Sequence, residues 1–184
     1  LRGNARFVAG ARQTRDWLQE QKGTADGQHP AAVFLTCVDS RAPVEVVCDF
    51  GIGQAFNARV AGNVVNDDVL GSIEFATAVS GAKVVMVMGH TACGAIKGAI
   101  DNVRLGNLTL LLARIQNSVA ATEYSGDRSS KNAEFVDAVA RTHVRMSIDL
   151  MRQRSPLLAD MERKGDIAIV GSLYDLGTGV VSLI

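Results

Sequence analysis

Two short runs hold the residues able to do chemistry: Cys37-Val38-Asp39-Ser40-Arg41 and Gly89-His90-Thr91-Ala92-Cys93-Gly94. Together they offer two thiols, one imidazole, a carboxylate and a guanidinium. Two thiolates and an imidazole are three of the four donors of a tetrahedral zinc site, and an open fourth position is what a catalytic zinc requires. If the chain stays extended past Thr36, residues two apart point to one side, so Cys37, Asp39 and Arg41 share a face. His90 and Cys93 are three apart, which puts both on one side of a first helical turn. A helix N-terminus at that point favours negative charge and lowers the Cys93 thiol pKa. Each run alone also has a plainer reading. Cys37 can be a buried cysteine followed by a surface ion pair, and His90 and Cys93 can be core residues. A thiol enzyme with Cys37 or Cys93 as nucleophile stays open as well.

Each run closes a hydrophobic segment of strand character, residues 31–36 and 83–88. Continuous apolar runs of this length mark strands buried on both faces. Further strands are expected over 55–60 and 167–173, with an edge strand over 180–184; residues 44–49 stay ambiguous. Helices are expected over 4–21, 67–79, 91–100, 105–119 and 132–154. Asn66 is placed to cap the second of these, and Gly81 follows its end. Residues 23–30, 124–131 and 174–179 read as turns or loops. Strands alternating with helices predict an α/β fold in three layers. Its central sheet is mainly parallel, of four to five strands flanked by helices. In such sheets sites form at the carboxyl ends of strands, where the direction of connection reverses, and both chemical runs lie at such ends. Shared chemistry requires the two strands to be neighbours.

A length of 184 residues fits one domain, 1–184, with apolar content for a full core. Nineteen Lys and Arg balance nineteen Asp and Glu, and no basic stripe or tail appears, so nucleic acid is not the expected partner. The apolar runs fall far short of the roughly 20 residues that span a bilayer, and no membrane segment is expected. No signal peptide is visible, although the chain starts at Leu1 without a methionine, which leaves room for upstream residues. Three widely spaced cysteines make a poor disulfide framework and suit a reducing, cytoplasmic compartment.

Cys-x-Asp-x-Arg followed some fifty residues later by His-x-x-Cys resembles the β-class carbonic anhydrases. Further stretches extend the resemblance over nearly the whole chain: Gly3-Asn4-Ala5-Arg6-Phe7, Arg59-Val60-Ala61-Gly62-Asn63, Ser72-Ile73-Glu74-Phe75 and Tyr174-Asp175-Leu176-Gly177-Thr178-Gly179. The resemblance implies zinc, one ion per subunit, on Cys37, His90 and Cys93, with Asp39 and Arg41 as a catalytic dyad. It implies reversible hydration of carbon dioxide to bicarbonate and a proton through hydroxide generated on zinc. Gln28 matches a substrate-binding glutamine, Phe56 a phenylalanine of an apolar pocket built across a dimer interface, and Gly94 a glycine of the pocket floor. Phe75 stands where a tyrosine often lies beside the substrate, so one pocket hydrogen bond is absent. The partners implied are carbon dioxide or bicarbonate and a second copy of the chain, as a dimer or tetramer, with the N-terminal helix packing on the partner subunit. Some family members bind regulatory bicarbonate through Trp, Arg and Tyr. Here the matching residues are Phe34, Arg59 and Phe75, so no such site is expected.

Other residues have plainer roles. His29 reads as a turn histidine, His143 as structural, Cys48 as a small buried hydrophobe. Asp49 is assigned no role. Two further functions share the same ligands: hydrolysis of carbon disulfide or carbonyl sulfide, and a non-catalytic zinc module of a larger protein.

Overall fold

Five residues without a charge, Ala32–Thr36, form strand β1, which is buried on both faces. In the computed structural model, which describes residues 1–184, β1 is an inner strand of a five-stranded sheet. The other strands are β2 (Ala55–Arg59), β3 (Val84–His90), β4 (Ala168–Tyr174) and β5 (Val181–Leu183). Their order is β2-β1-β3-β4-β5. Every pairing is parallel except the last, where β5 returns antiparallel along β4. Connections from β1 leave to β2 on one side and come back across it to β3, so the direction of winding reverses between β1 and β3. Those two strands pair directly, with Thr36 opposite Met88. The condition that the chemical runs end neighbouring strands is therefore met.

Side chains alternate across the sheet and set the layers. Val33, Leu35, Val85 and Val87 pack under α4 (Asp67–Glu74) and α8 (Ala133–Arg154). Ala32, Phe34 and Met88 pack on the other face against α3 (Val44–Val47). A third cluster lies beyond the carboxyl ends of the strands, where Cys37 and Cys93 join Ile96, Leu112, Ile115 and Phe135. It draws on α5 (Gly94–Ile100) and α6 (Gly106–Ala113), with α7 (Gln116–Ala121) beside them. Apolar burial on this scale is the dominant stabilising term, and here it also packs the floor of the site.

Several elements differ from expectation for local reasons. The N-terminal segment is two short helices, α1 (Arg2–Val8) and α2 (Trp17–Gly23). Gly10 turns left-handed after α1, and Asp16 caps α2 by accepting from the Gln19 N–H. The link between them is tied to Asp49, whose carboxylate accepts from Arg6 Nε at 2.6 Å and from the Gln13 N–H at 3.2 Å. Asp49 thus gains a structural role. α1 docks on its own chain through Asn4, which donates to the Val47 and Gly179 carbonyls and accepts from the Val181 N–H. Asn66 caps α4 as expected, and the helix widens into a π-type turn over Phe75–Val79. The expected helix over 105–119 breaks where Ile115, fully buried, tightens the chain by donating its N–H to the Leu112 carbonyl. Helix α9 (Pro156–Lys164) was not expected. Its signals were Ser155 at the cap, Pro156 in the first turn and left-handed Gly165 at the end.

Candidate metal centre

Cys37 leaves β1 one residue after its last pairing, and His90 is the final residue of β3. Cys93 follows a two-residue turn and caps α5, so the helix starts at Gly94, three residues later than expected. Sheet order therefore delivers all three donors to one point. Cys37 Sγ, a ring nitrogen of His90 and Cys93 Sγ lie within 4.8 Å of one another, and all three residues are at least 95% buried. His90 Nδ1 lies 2.9 Å from the Thr91 carbonyl, which only accepts, so Nδ1 carries the proton and the Nε2 lone pair is free. Nε2 is buried with no hydrogen-bond partner. A buried polar atom left unpaired is costly, and here it faces a pair of sulfurs. Sulfur and imidazole donors at this spacing fit zinc.

The electrostatics follow from two buried thiols in contact. Cys37 is held well below the usual thiol range, first by a hydrogen bond from Cys93, then by His90 and the Gly62 N–H, which lies 3.3 Å from its sulfur. Cys93 is pushed up, by donating to Cys37 and by burial. The Ala95 and Ile96 N–H groups at the start of α5 do pull Cys93 down, as expected for a helix N-terminus, but the neighbouring Cys37 charge outweighs them. Without a cation, then, one proton stays on the pair; deprotonating both sulfurs takes a bound positive ion. Burial lowers the His90 pKa, yet Cys37, the Thr91 carbonyl and Asp39 together leave it raised.

Asp39 and Arg41 meet as the sequence predicts. The chain turns after Asp39 rather than staying extended, so Arg41 folds back on the carboxylate. Oδ1 accepts from the Arg41 N–H and Nε, both at 2.9 Å, and Oδ2 accepts from Nη2 at 2.7 Å. This fork holds the Asp39 carboxyl far below the ordinary carboxylate range. Oδ2 stands 3.8 Å from His90 Nε2, beside the donor cluster.

Arg59 does work that the sequence did not reveal. Its Nε donates to the Cys37 carbonyl at 3.0 Å and its Nη2 to the Asp39 carbonyl at 2.5 Å, clamping the loop that carries both side chains. Gly62 was likewise missed. Its φ of +66° and its closeness to Ile115 and Ala95 admit no side chain easily, and they aim its N–H at sulfur. The signal was present as glycine in the run that follows β2.

Of the remaining predicted residues, only Gly94 lies at the cluster within one protomer. Gly94 adjoins Cys93 and faces open space. Gln28 is exposed in the loop before β1, at the opposite end of a five-residue strand, roughly 16 Å long. Phe56 and Phe75 meet edge to face, with ring centroids 6.1 Å apart, on an open recess of about 620 Å³ between β2 and α4. None of the three donor residues lines that recess. His29 is exposed, and His143 is buried against Ser118.

Comparison with known proteins agrees with this geometry. The carbonic anhydrase family model matches residues 32–181. Carbonic anhydrase 2 of Mycobacterium tuberculosis is 36% identical over 179 residues, covering 96% of this chain and 86% of that protein. The carbonic anhydrase of Mycolicibacterium smegmatis is 34% identical, covering 98% and 88%. Among solved structures, the β-carbonic anhydrase CafA of Aspergillus fumigatus superposes with a TM-score of 0.79 at 29% identity, covering 91% of this chain and 81% of that one. The Coccomyxa β-carbonic anhydrase, solved with acetazolamide, shares the fold at a TM-score of 0.80 and 22% identity, covering 91% and 77%.

Proposed function

The chain belongs to the β-carbonic anhydrase family, and from that premise we propose that it catalyses zinc-dependent, reversible hydration of carbon dioxide to bicarbonate and a proton. The observation that carries the proposal is the buried, unpartnered His90 Nε2 facing two thiols. Cys37 Sγ, His90 Nε2 and Cys93 Sγ would hold the ion, one per subunit. Zinc, when bound, supplies the Lewis acidity that makes water nucleophilic near neutral pH.

The chain's own residues do the rest. His90 is fixed in one tautomer by the Thr91 carbonyl, so its ligating nitrogen is ready without rearrangement. Asp39, ionised throughout the working pH range, is an acceptor only. Beside the donors it can take a hydrogen bond from an incoming water and so orient that oxygen toward carbon dioxide. Arg41 binds the same carboxylate from the other side and keeps it from becoming the fourth donor. Two sulfurs give up more charge than imidazoles would, so activity should rise through mildly alkaline pH.

Gln28, Phe56 and Phe75 lie away from their own cluster, which supports a homo-oligomer, dimer or tetramer, in which a neighbouring copy completes the substrate pocket. The N-terminal helix would pack on that neighbour as well. No helix is long and apolar enough to cross a membrane. Three unpaired cysteines support a reducing, cytoplasmic setting.

Asp39→Asn tests the assignment. It should keep zinc and lose about 100-fold or more of turnover, the range for a positioned proton-accepting group. Parent-like turnover would remove Asp39 from the reaction. Purified parent protein free of stoichiometric zinc would overturn the metal reading. Assays with carbonyl sulfide alongside carbon dioxide separate the two substrate classes.

A further inference from the structure

Four non-glycine residues have positive φ: Asp49, Asn63, Ala92 and Asn102. Three are Asp or Asn, whose short polar side chains suit the left-handed region. Ala92, at φ +54°, has no such group, and it sits between His90 and Cys93. Backbone in a sparsely populated region persists only where the surroundings impose it. The Ala92 N–H donates to Asp137 Oδ1 at 3.1 Å, from α8, forty-five residues away. The rest of the turn is tied to the exit of β4. Thr91 donates its N–H to the Tyr174 carbonyl, and the Leu176 N–H donates to Thr91 Oγ1, both at 3.0 Å.

Resting on the metal reading above, we propose that Asp137 is a positioning residue for the centre. Its carboxylate holds Ala92 left-handed and so aims His90 and Cys93 at one ion. Only two residues separate these donors, so little chain is available to absorb an error. A relaxed, right-handed Ala92 would change its φ by about 120° and swing the peptide that leads into Cys93. Helix α5 starts at the next residue and is packed through Ile96 and Ala99, both buried, so it is not free to follow. The left-handed penalty of an alanine is comparable with one hydrogen bond to a carboxylate, so a single acceptor decides the geometry.

The test is zinc affinity of the full chain, measured by competition with a chromophoric chelator. Asp137→Ala should weaken zinc about 10–100-fold, as for other partners that orient a ligand. Asp137→Asn keeps an oxygen acceptor and should keep most of the affinity. Adding Ala92→Gly to Asp137→Ala should restore it, because glycine takes positive φ without penalty. General damage to packing would not be repaired that way. Should Asp137→Ala fail to fold, Ala92→Val leaves Asp137 intact on an exposed position and disfavours positive φ, so it should also weaken zinc. Parent-like affinity in Asp137→Ala or Ala92→Val, or a double variant as weak as Asp137→Ala alone, overturns the proposal. A parent that binds no zinc overturns the metal reading instead.

Discussion

Gly62→Ala probes how tightly the third core cluster is built around the site. Gly62 has φ +66° and ψ +19°, a conformation that costs an L-residue about 1–2 kcal/mol. An added Cβ would lie 2.7 Å from Ile115 Cδ1 and 3.1 Å from Ala95 Cβ. Ile115 is fully buried, so its terminal methyl cannot swing into solvent. Overpacking of this kind costs about 1–3 kcal/mol. The total, about 2–5 kcal/mol, corresponds to a fall in Tm of about 5–15 °C for a chain of this size.

The assay is thermal unfolding of Gly62→Ala, Ile115→Val and the double variant, followed by zinc titration. Ile115→Val alone should cost about 0.5–1.5 kcal/mol. It removes the very methyl that the new Cβ strikes. The double variant should therefore be more stable than the sum of the singles, by about 1 kcal/mol or more. The backbone penalty and the Ala95 contact remain. Zinc affinity should fall in Gly62→Ala, because the N–H that donates to Cys37 Sγ is displaced. A Tm within about 2 °C of the parent, or strict additivity in the double variant, would refute the reasoning.

Two other perturbations have definite outcomes. Arg59→Lys replaces a fork that spans two carbonyls with a single ammonium, so zinc affinity should drop by about 10-fold, and equal affinity would mean the loop needs no clamp. His143 is buried, and burial pushes its pKa down to about 4. An unfolded histidine titrates near 6.5, so as pH falls the unfolded chain takes up this proton first. The contribution to stability is complete above about pH 6.5, declines toward pH 4 and is constant below, a loss of about 3 kcal/mol in all. His143→Gln should flatten that part of the profile of urea midpoint against pH; an unchanged profile would show that His143 is not buried neutral.

Much of the fold was legible because β1 and most of β3 are short, apolar runs. Residues 31–36 and 83–88 are largely apolar runs of strand length, and Asn66 announces the helix it caps. The failures cluster where a tertiary contact overrules periodicity. Residues 4–21 have helical spacing, but Asp49 draws Arg6 and Gln13 toward one buried carboxylate and opens the helix between them. Residues 105–119 are apolar enough for one helix, but burying Ile115 bends the chain there. Neither Asp49 nor Ile115 looks unusual in the sequence. Helix α9 is a different case, since Ser155, Pro156 and Gly165 marked its ends in advance.

The site divides along the same physical line. Cys37, His90 and Cys93 lie within three residues of the ends of β1 and β3, so one non-local condition, the pairing of those strands, is enough to unite them. Register supplies the precision: Thr36 sits opposite Met88, and a slip of one residue would turn the side chains of one strand to the other face. Asp39 and Arg41 then follow locally, two and four residues after Cys37. Arg59 and Asp137 went unread because each side chain acts on backbone groups of a distant segment, which leave no residue type to pair it with; Gly62 was legible as a glycine, but nothing in the sequence shows that its N–H meets Cys37 Sγ. Gln28, Phe56 and Phe75 pose the opposite problem. Their types are legible, but no path within one chain carries them to the cluster. For Gln28 the separation is the full length of β1, and the family role it matches would be filled from another copy. The separation is an argument for assembly once the family likeness names these residues as parts of the pocket.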